Sequence, residues 1–329
     1  MQRPSAFTLA RGLALGLIVV ALSACKSEPK EAPQPAEPAP SAEPAPHTEP
    51  AQPPGGTTAS EPAAPARPTV AKPFLWEVSR NGAVSHVFGT IHAEYRLTDL
   101  PAAVTERLDA AKTLVIETDV TAVSITQVMQ LAMLPPEQSL RTMLGEEYWG
   151  KLVAAVGKIM PAAALERVQP WFAGLLVSLG DLALSDPSQA MDMQIFQRAS
   201  TGGKRIVFLE EAGEQLKMLS EIGDLDDLKE ALDEIEEVRG KLKDMLAAYG
   251  RGDVEALATI TLDPEEMRER PEIMDKLLFG RNRAWMKTLA PLLAEGGVFV
   301  AVGAGHFVGE QGLVTLLRGA GYEVKRIEP

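Results

Sequence analysis

Two matching stretches decide the fold of this chain, and the later one, at residues 298–307, reads VFVAVGAGHF. Its counterpart, at residues 84–92, reads VSHVFGTIH. In each stretch an apolar run typical of a buried strand leads into the pattern Gly-x-x-His, which ends at His306 in one case and at His92 in the other. A glycine at a strand end lets the backbone turn sharply, so a histidine three residues later can point into the crevice beyond the strand.

Each motif leads into the same order of elements. A helix-like stretch follows it, and then another apolar run begins, at residues 113–117 after the first motif and at residues 322–327 after the second. A third central strand is predicted at residues 205–209. Strands that alternate with helices favour an α/β fold. We therefore expect a central mixed sheet with a strand–Gly-x-x-His–helix–strand unit at each end of the domain and a large helical insertion between them.

The chain between the two motifs has the periodicity of helices. Apolar residues recur there at spacings of three and four. The predicted helices span residues 125–134, 149–160, 171–184 and 188–199. The acidic run at residues 224–243 predicts one amphipathic surface helix. Residues 265–293 predict one or two further helices, with Pro271 at a start or a kink.

Residues 1–24 have the features of a bacterial lipoprotein signal peptide. The apolar stretch at residues 12–21 is too short to span a bilayer as a helix. It runs into LSAC at residues 22–25, which resembles a lipobox and makes Cys25 the predicted site of lipidation. Two acyl chains would anchor the protein stably at a membrane surface. Because Lys26 follows the cysteine, we expect a cell-envelope protein on the outer membrane that faces the periplasm.

Residues 25–72 comprise the lipidated cysteine and a predicted disordered tether. Thirteen of the 25 prolines of the chain lie in this segment, among Ala, Glu, Ser, Thr and Gln. Such a composition cannot bury enough apolar surface to offset the entropy of ordering. The folded domain is predicted at residues 73–329, which is long enough for one large α/β domain with a buried core.

Charge and absent motifs exclude several classes of protein. The formal net charge is −13 and no cluster of Lys and Arg offsets it, so nucleic acid is not an expected partner. Cys25 is the only cysteine, which leaves no intramolecular disulfide and no thiol nucleophile once it is lipidated. The chain contains no His-Glu-x-x-His, no Gly-x-Ser-x-Gly and no P-loop pattern. Metal-assisted or acid–base hydrolysis remains compatible with the sequence.

Four polar side chains fall at or just beyond the ends of predicted strands: His92, Glu117, Glu210 and His306. Ligands gather at the carboxyl ends of strands in open α/β sheets. Two imidazoles with two carboxylates can bind Zn, Mn or Co, and such a metal activates a bound water. The same groups can act without a metal, with a histidine or a glutamate as general base. The structural alternatives are core histidines bonded to the backbone and a buried ion pair.

The domain resembles a known family on the strength of four segments. They read FLWEV at residues 74–78, VFGTIH at 87–92, LVIETD at 114–119 and VAVGAGHFVG at 300–309. Together they resemble the TraB/PrgY/GumN family, to which the Tiki proteins also belong. Tiki-like members are metal-dependent proteases, so the resemblance implies a metal held by the two histidines with acidic residues between them. Wider relatives include erythromycin-esterase-like and haem-binding ChaN-like proteins, which implies a similar fold.

The resemblance adds three residues to the candidate site. Asp192 is a candidate metal ligand or a helix-surface residue, and Asn282 is a candidate catalytic residue or a helix-surface amide. Arg281 is expected either to orient a substrate or to brace Glu117 in a buried pair. The sequence departs from the family pattern at Gly280, where a glutamate is frequent. That departure weakens any inference from the family that a carboxylate of the site lies at this position.

We therefore expect a membrane-anchored, metal-dependent hydrolase that acts on a peptide or another small molecule. His92, His306, Glu210 and Asp192 are its predicted metal ligands, and Glu117, Arg281 and Asn282 its predicted catalytic residues. The alternative is a lipoprotein of the cell envelope that binds haem or a small molecule without turnover. Bound divalent metal with peptide cleavage would favour the first interpretation, and stoichiometric ligand uptake without metal the second.

Overall fold

The computed structural model describes residues 69–92, 94–119, 121–122 and 124–328. The predicted signal peptide, Cys25 and the predicted tether up to residue 68 lie outside the described residues. Val70 is buried and donates its backbone N–H to the carbonyl of Asp99. No helix in these ranges is long and apolar enough to cross a membrane.

Six strands form one mixed sheet in the order β4-β3-β5-β2-β1-β6. The strands are β1 (Leu75–Arg80), β2 (Ala83–Thr90), β3 (Thr113–Ile116), β4 (Arg205–Phe208), β5 (Val298–Gly303) and β6 (Glu323–Arg326). Strands β4, β3, β5 and β2 run parallel, and β1 is antiparallel to both of its neighbours. The predicted mixed α/β sheet is confirmed, and β2 and β5, which carry the two motifs, lie side by side at its centre.

The hairpin that joins β1 to β2 was not predicted. Its turn is Asn81-Gly82, and both residues have positive φ, 53° and 84° respectively. The strands flank this two-residue turn directly, with Arg80 opposite Ala83. Asn-Gly is the pair that such a turn favours, because its backbone twist matches the twist of the flanking strands. The hairpin places β1 between β2 and β6.

Strand β4 was predicted as a central strand, and this prediction is wrong, because among the described residues β4 forms the edge of the sheet and pairs with β3 alone. The burial of the two strands accounts for the difference. In β5 all six residues are buried, whereas Arg205 of β4 is exposed and the other three residues of that strand are only half-buried. An apolar run of four residues does not by itself distinguish an edge strand from a central one.

Fourteen α-helices lie in the described ranges. They are α1 (Ala102–Ala110), α2 (Ile125–Ala132), α3 (Leu140–Val156), α4 (Ala162–Leu165), α5 (Pro170–Leu179), α6 (Met191–Thr201), α7 (Ala212–Ser220), α8 (Leu225–Asp233), α9 (Ile235–Arg251), α10 (Val254–Thr261), α11 (Pro264–Glu269), α12 (Pro271–Met274), α13 (Gly280–Glu295) and α14 (Leu313–Gly319). Helices α1 and α14 complete the two predicted strand–Gly-x-x-His–helix–strand units, and the predicted large helical insertion is confirmed.

Three helix predictions need correction. The predicted helix at residues 149–160 begins nine residues earlier, as α3. The single acidic helix expected at residues 224–243 is two helices, because Glu234 leaves the helical region with φ −110° and ψ 27°. The region at residues 265–293 holds α11, α12, a π-helical turn at Asp275–Phe279 and α13 rather than one or two helices.

Two hydrophobic clusters account for the core. One covers the sheet and includes Phe88 and Phe299, whose rings lie 6.0 Å apart. The other fills the helical insertion and includes Leu152 and Leu176, both fully buried. Helix α13 follows the insertion directly and brings Arg281 to the carboxyl ends of the parallel strands. The candidate site therefore lies where the sheet meets the insertion.

Candidate functional site

Three predicted site residues converge beside the end of β5. The register pairs Thr90 of β2 with Gly303 of β5, so both Gly-x-x-His motifs leave the sheet at the same level. A Cβ atom added to Gly303 would lie 3.3 Å from Glu117 Oε1, 3.7 Å from His306 Cδ2 and 3.9 Å from His92 Nε2. The carboxylate and both imidazoles therefore face one small space next to this glycine.

His306 is held with its Nε2 atom toward this space. Its Nδ1 atom lies 2.7 Å from Oδ1 of Asn282. The amide nitrogen of Asn282 donates to the carbonyls of His306 and Gln311, at 3.1 and 2.9 Å, so the amide oxygen must be the acceptor for His306 Nδ1–H. The lone pair of the neutral ring is thus on Nε2. Burial lowers the pKa of His306 to about 3, which keeps the ring neutral at physiological pH.

His92 is oriented through the same ring nitrogen, but by a carboxylate. Its Nδ1 atom lies 2.6 Å from Oδ2 of Asp192, and Thr90 donates its hydroxyl to Oδ1 of Asp192 at 2.6 Å. Burial acts to lower the pKa of His92, but the charge and hydrogen bond of Asp192 outweigh it, and the pKa is raised overall. The two motif histidines therefore have different protonation chemistry.

Glu117 is an ionised carboxylate at the centre of the site. Its Oε1 atom accepts the backbone N–H of Gly303 at 2.7 Å, and its Oε2 atom accepts from Arg281 Nη2 at 2.6 Å and Gln215 Nε2 at 3.0 Å. Burial alone would raise the pKa of Glu117, but Arg281 and the two histidines overcome it and hold the pKa at about 2.

Arg281 lies between two carboxylates, with 9 % of its side chain exposed. Besides Glu117, it contacts Glu210, to which Nε donates at 2.9 Å and Nη2 also donates. Its Nη1 atom donates to the carbonyl of Leu277 at 2.8 Å and lies 3.3 Å from Nε2 of His306. Burial raises the pKa of Glu210, even though Arg281 acts against the shift. This guanidinium is the cation that balances the acidic side chains of the site.

The predicted metal ligands do not fit a metal in this arrangement. Across the described ranges no three His, Cys, Asp or Glu side chains are grouped to hold an ion. Both oxygens of Asp192 are used by Thr90 and His92, and both oxygens of Glu210 accept from Arg281. Of the possible donor atoms, Glu117 Oε1 and His92 Nε2 lie nearest to the space beside Gly303, and His306 Nε2 lies 3.8 Å from Glu117 Oε1.

The structure brings together all seven site residues that were predicted within the described part of the chain, and their catalytic or metal-binding roles stay predictions. Cys25 lies outside that part. Asp192 and Asn282 each bind the Nδ1 atom of a motif histidine, so both act as orienting residues. Arg281 braces Glu117, which was one of its two expected roles.

Two contributors to the site were not predicted as site residues. Thr90 anchors Asp192, and Gln215 donates to Glu117 from the first turns of α7. Thr90 lies inside the first Gly-x-x-His motif, so its position was a usable signal. Gln215 follows the end of β4 by seven residues, and only the packing of α7 against the site makes it a neighbour of Glu117.

Comparison with known proteins gives one family and several distant relatives. The model of the TraB/PrgY/gumN family matches residues 74–326. Metalloprotease TIKI2 of Danio rerio is 26 % identical over 316 residues, which cover 78 % of this chain and 61 % of that protein. Metalloprotease TIKI1 of Homo sapiens is 26 % identical over 310 residues, which cover 77 % of this chain and 61 % of TIKI1.

A bacterial relative is covered more fully. The uncharacterized protein YbaP of Shigella flexneri is 27 % identical over 243 residues, which cover 71 % of this chain and 88 % of YbaP. The present chain thus spans about 61 % of the length of the TIKI relatives quoted above. No solved structure matches the chain.

Proposed function

We infer that this chain, which belongs to the TraB/PrgY/gumN family, is a hydrolase that cleaves peptide bonds or related acyl bonds at the space beside Gly303. Relatives that carry the name metalloprotease support hydrolysis as the reaction class. The observation that carries the proposal is the arrangement of the histidine pair. Both rings are fixed through Nδ1, and Nε2 of His92 faces the same space as His306 and Glu117.

His92 is the proposed general base. Its Nε2 atom faces the space in which a substrate carbonyl and a water molecule would meet. Asp192 accepts from Nδ1–H, fixes the tautomer and stabilises the imidazolium that forms when Nε2 takes a proton from water. Because burial strengthens this ion pair, the Thr90–Asp192–His92 chain keeps the base in one orientation through the reaction.

Glu117 and Arg281 form a fixed pair of opposite charges beside the proposed base. The carboxylate of Glu117 is ionised, and it accepts from Gly303, Arg281 and Gln215 at the same time. These three donors hold its Oε1 atom next to the histidine pair. Neutral His306 has its lone pair on Nε2, which lies 3.3 Å from Nη1 of Arg281, so this ring is held beside the same guanidinium.

The metal, the anchor and the location are part of the proposal. The names of the relatives suggest a divalent metal, for which Mn, Co and Zn were the sequence-based expectations. The donor arrangement described above argues against binding while Arg281 holds Glu117. We propose that Cys25 carries a lipid anchor, so that the domain acts at the outer membrane and faces the periplasm, on a peptide or small-molecule substrate and not on nucleic acid.

The test is cleavage of a peptide library by the purified full chain, followed by mass spectrometry. Each preparation is assayed with EDTA, without additions, and with Mn, Co or Zn. His92→Ala is the test variant, and His86→Ala is its matched control, because His86 lies on the same strand β2 but outside the site. We expect cleavage by the wild type and the control and loss in His92→Ala. Absence of cleavage in every condition, or full activity in His92→Ala, would overturn the proposal.

A further inference from the structure

The donors beside Gly303 have the chemical types of a metal site, but their lone pairs are not freely accessible. His92 and His306 are oriented through Nδ1 by Asp192 and Asn282, just as metal-ligating histidines commonly bond their other ring nitrogen to a neighbouring oxygen. Glu117 is ionised and faces the same space. Two imidazoles and a carboxylate are a common ligand set for a divalent metal. What is missing is free access to their lone pairs.

Arg281 blocks access to the lone pairs of two of these groups. Its Nη2 atom donates to Glu117 Oε2 at 2.6 Å, and its Nη1 atom lies 3.3 Å from His306 Nε2, the ring atom that a metal would need. The same guanidinium neutralises Glu210, the other carboxylate of the crevice. A cation of charge +1 thus already contacts two of the three candidate ligands, and it would repel a second cation in a buried site of low dielectric.

The side chain of Arg281 is held in this place from several directions. It donates to the carbonyl of Leu277 at 2.8 Å, one turn earlier, and its guanidinium lies 4.8 Å from the ring centre of Trp285. Trp285 also packs against the ring of His306, with the centroids 4.3 Å apart. Arg281 is therefore a fixed part of the crevice and not a mobile surface side chain.

We propose that Arg281 occupies the position of a divalent cation in this site, and that metal binding and the Arg281–Glu117 contact exclude each other. The inference rests on the site assigned above as that of a hydrolase, but it concerns metal affinity and not turnover. It follows that removing the guanidinium opens a metal site formed by His92, His306 and Glu117. In the intact chain, Mn or Co binds only as far as it displaces Arg281 from Glu117.

The experiment is isothermal titration of Mn and Co into the full chain in detergent, in the absence of substrate. The test variant is Arg281→Met, which keeps the length of the side chain and removes its charge. Arg283→Met is the matched control, because Arg283 lies on the same helix with half of its side chain exposed. A double variant, Arg281→Met with His306→Ala, removes one of the proposed ligands.

We expect Arg281→Met to bind one metal per chain at least tenfold more tightly than the wild type and Arg283→Met, and the double variant to lose this gain. Equal affinity in Arg281→Met and wild type, including no binding in either, would overturn the proposal, as would a gain that persists in the double variant. If Arg281→Met does not fold, Arg281→Gln takes its place, since an amide carries no charge but can still donate a hydrogen bond to a buried carboxylate. Arg281→Gln must then bind metal more tightly than the wild type.

Failure of this proposal and failure of the proposed function give different results. Titration without substrate does not depend on cleavage, and cleavage in EDTA does not depend on metal affinity. A chain that cleaves peptides while Arg281→Met gains no affinity retains the hydrolase assignment and loses the role of Arg281. If Arg281→Met gains affinity but the chain does not cleave peptides, the role of Arg281 is retained and the hydrolase assignment is lost.

Discussion

Nδ1 of His306 lies 2.7 Å from Oδ1 of Asn282, and this contact determines which nitrogen of the ring faces the site. The equivalent partner of His92 is the carboxylate of Asp192. An amide cannot stabilise an imidazolium as a carboxylate does, so the two motif histidines are not interchangeable. The pKa of His306 is lowered to about 3, mainly by burial, whereas the pKa of His92 is raised overall by Asp192.

Asn282→Ala is expected to destabilise the fold and to release the ring of His306. The variant leaves the carbonyls of His306 and Gln311 and the Nδ1–H group without their partner. Buried groups that lose a hydrogen bond cost about 1–3 kcal/mol each, so we expect a loss of ~2–4 kcal/mol in urea unfolding. Arg283→Ala, at an exposed neighbouring position, should change stability by less than about 1 kcal/mol. Equal stability of the two variants would contradict the role given to Asn282.

The glycines of the two motifs should respond differently to alanine. A Cβ at Gly89 would lie 3.0 Å from both Ala304 Cα and Phe74 Cβ, so Gly89→Ala should destabilise the fold by about 1–3 kcal/mol. Gly303 has φ −49° and ψ 137°, a conformation that alanine adopts freely, and its Cβ would enter the space beside Glu117. Gly303→Ala should therefore keep the thermal midpoint of unfolding within a few degrees and reduce hydrolysis at least tenfold. Loss of folding in Gly303→Ala, with Gly89→Ala unaffected, would reverse this assignment.

Glu117→Gln should cost more stability at pH 7 than Glu210→Gln. The folded-state pKa of Glu117 is about 2, below its usual value of 4.5, and this difference corresponds to roughly 3 kcal/mol of stability. That contribution is present above about pH 4.5 and is lost as the pH falls toward 2, so the wild type and Glu117→Gln should converge in acid. The pKa of Glu210 is raised, so its charge gives no such gain. Urea unfolding of both variants between pH 3 and pH 8 measures the comparison, and a larger loss in Glu210→Gln would contradict it.

Glu266→Gln should stabilise the protein at high pH. Glu266 is buried in α11, its Oε1 atom has no hydrogen-bond partner among the described residues, and burial raises its pKa to about 7. Since the folded-state pKa exceeds the usual 4.5, the wild type is most stable below about pH 4.5 and loses stability as the pH rises through 7. At pH 8 the variant should therefore be more stable by ~1–3 kcal/mol, with no difference at pH 4. Glu265→Gln, at the exposed neighbouring position, should show no such pH dependence, and a pH-independent effect in Glu266→Gln would refute the argument.

The sequence predicted those parts of the fold that depend on local pattern. Apolar runs with a glycine at their ends identified β2 and β5, and alternation with helices identified the α/β class. The edge position of β4 was missed because a short apolar run contains no information on its neighbours in a sheet. The break at Glu234 was missed because no glycine or proline marks it.

In the candidate site, too, local pattern identified residues, whereas contacts set by long-range packing were harder to predict. Strand ends pointed to His92, Glu117, Glu210 and His306, and the resemblance to a family added Arg281. The pairing of Arg281 with Glu117 could be predicted only as one of two alternatives, because these residues are 164 residues apart and meet through the packing of α13 against the sheet. The pairing of Asp192 with His92, which are 100 residues apart, was not predicted. The same long-range packing decides that Asp192 orients His92 and does not face the space beside Gly303.

The most direct test of the proposed chemistry is the rate of hydrolysis by Asp192→Asn, measured on a peptide that the wild type cleaves. The amide preserves the shape of the side chain but cannot stabilise a protonated His92, so kcat should fall by about 10²–10⁴-fold with KM little changed. Asp181→Asn, at an exposed position, is the control and should retain wild-type kinetics. Activity of Asp192→Asn within about threefold of the wild type would contradict the assignment of His92 and Asp192 as the base and its orienting partner.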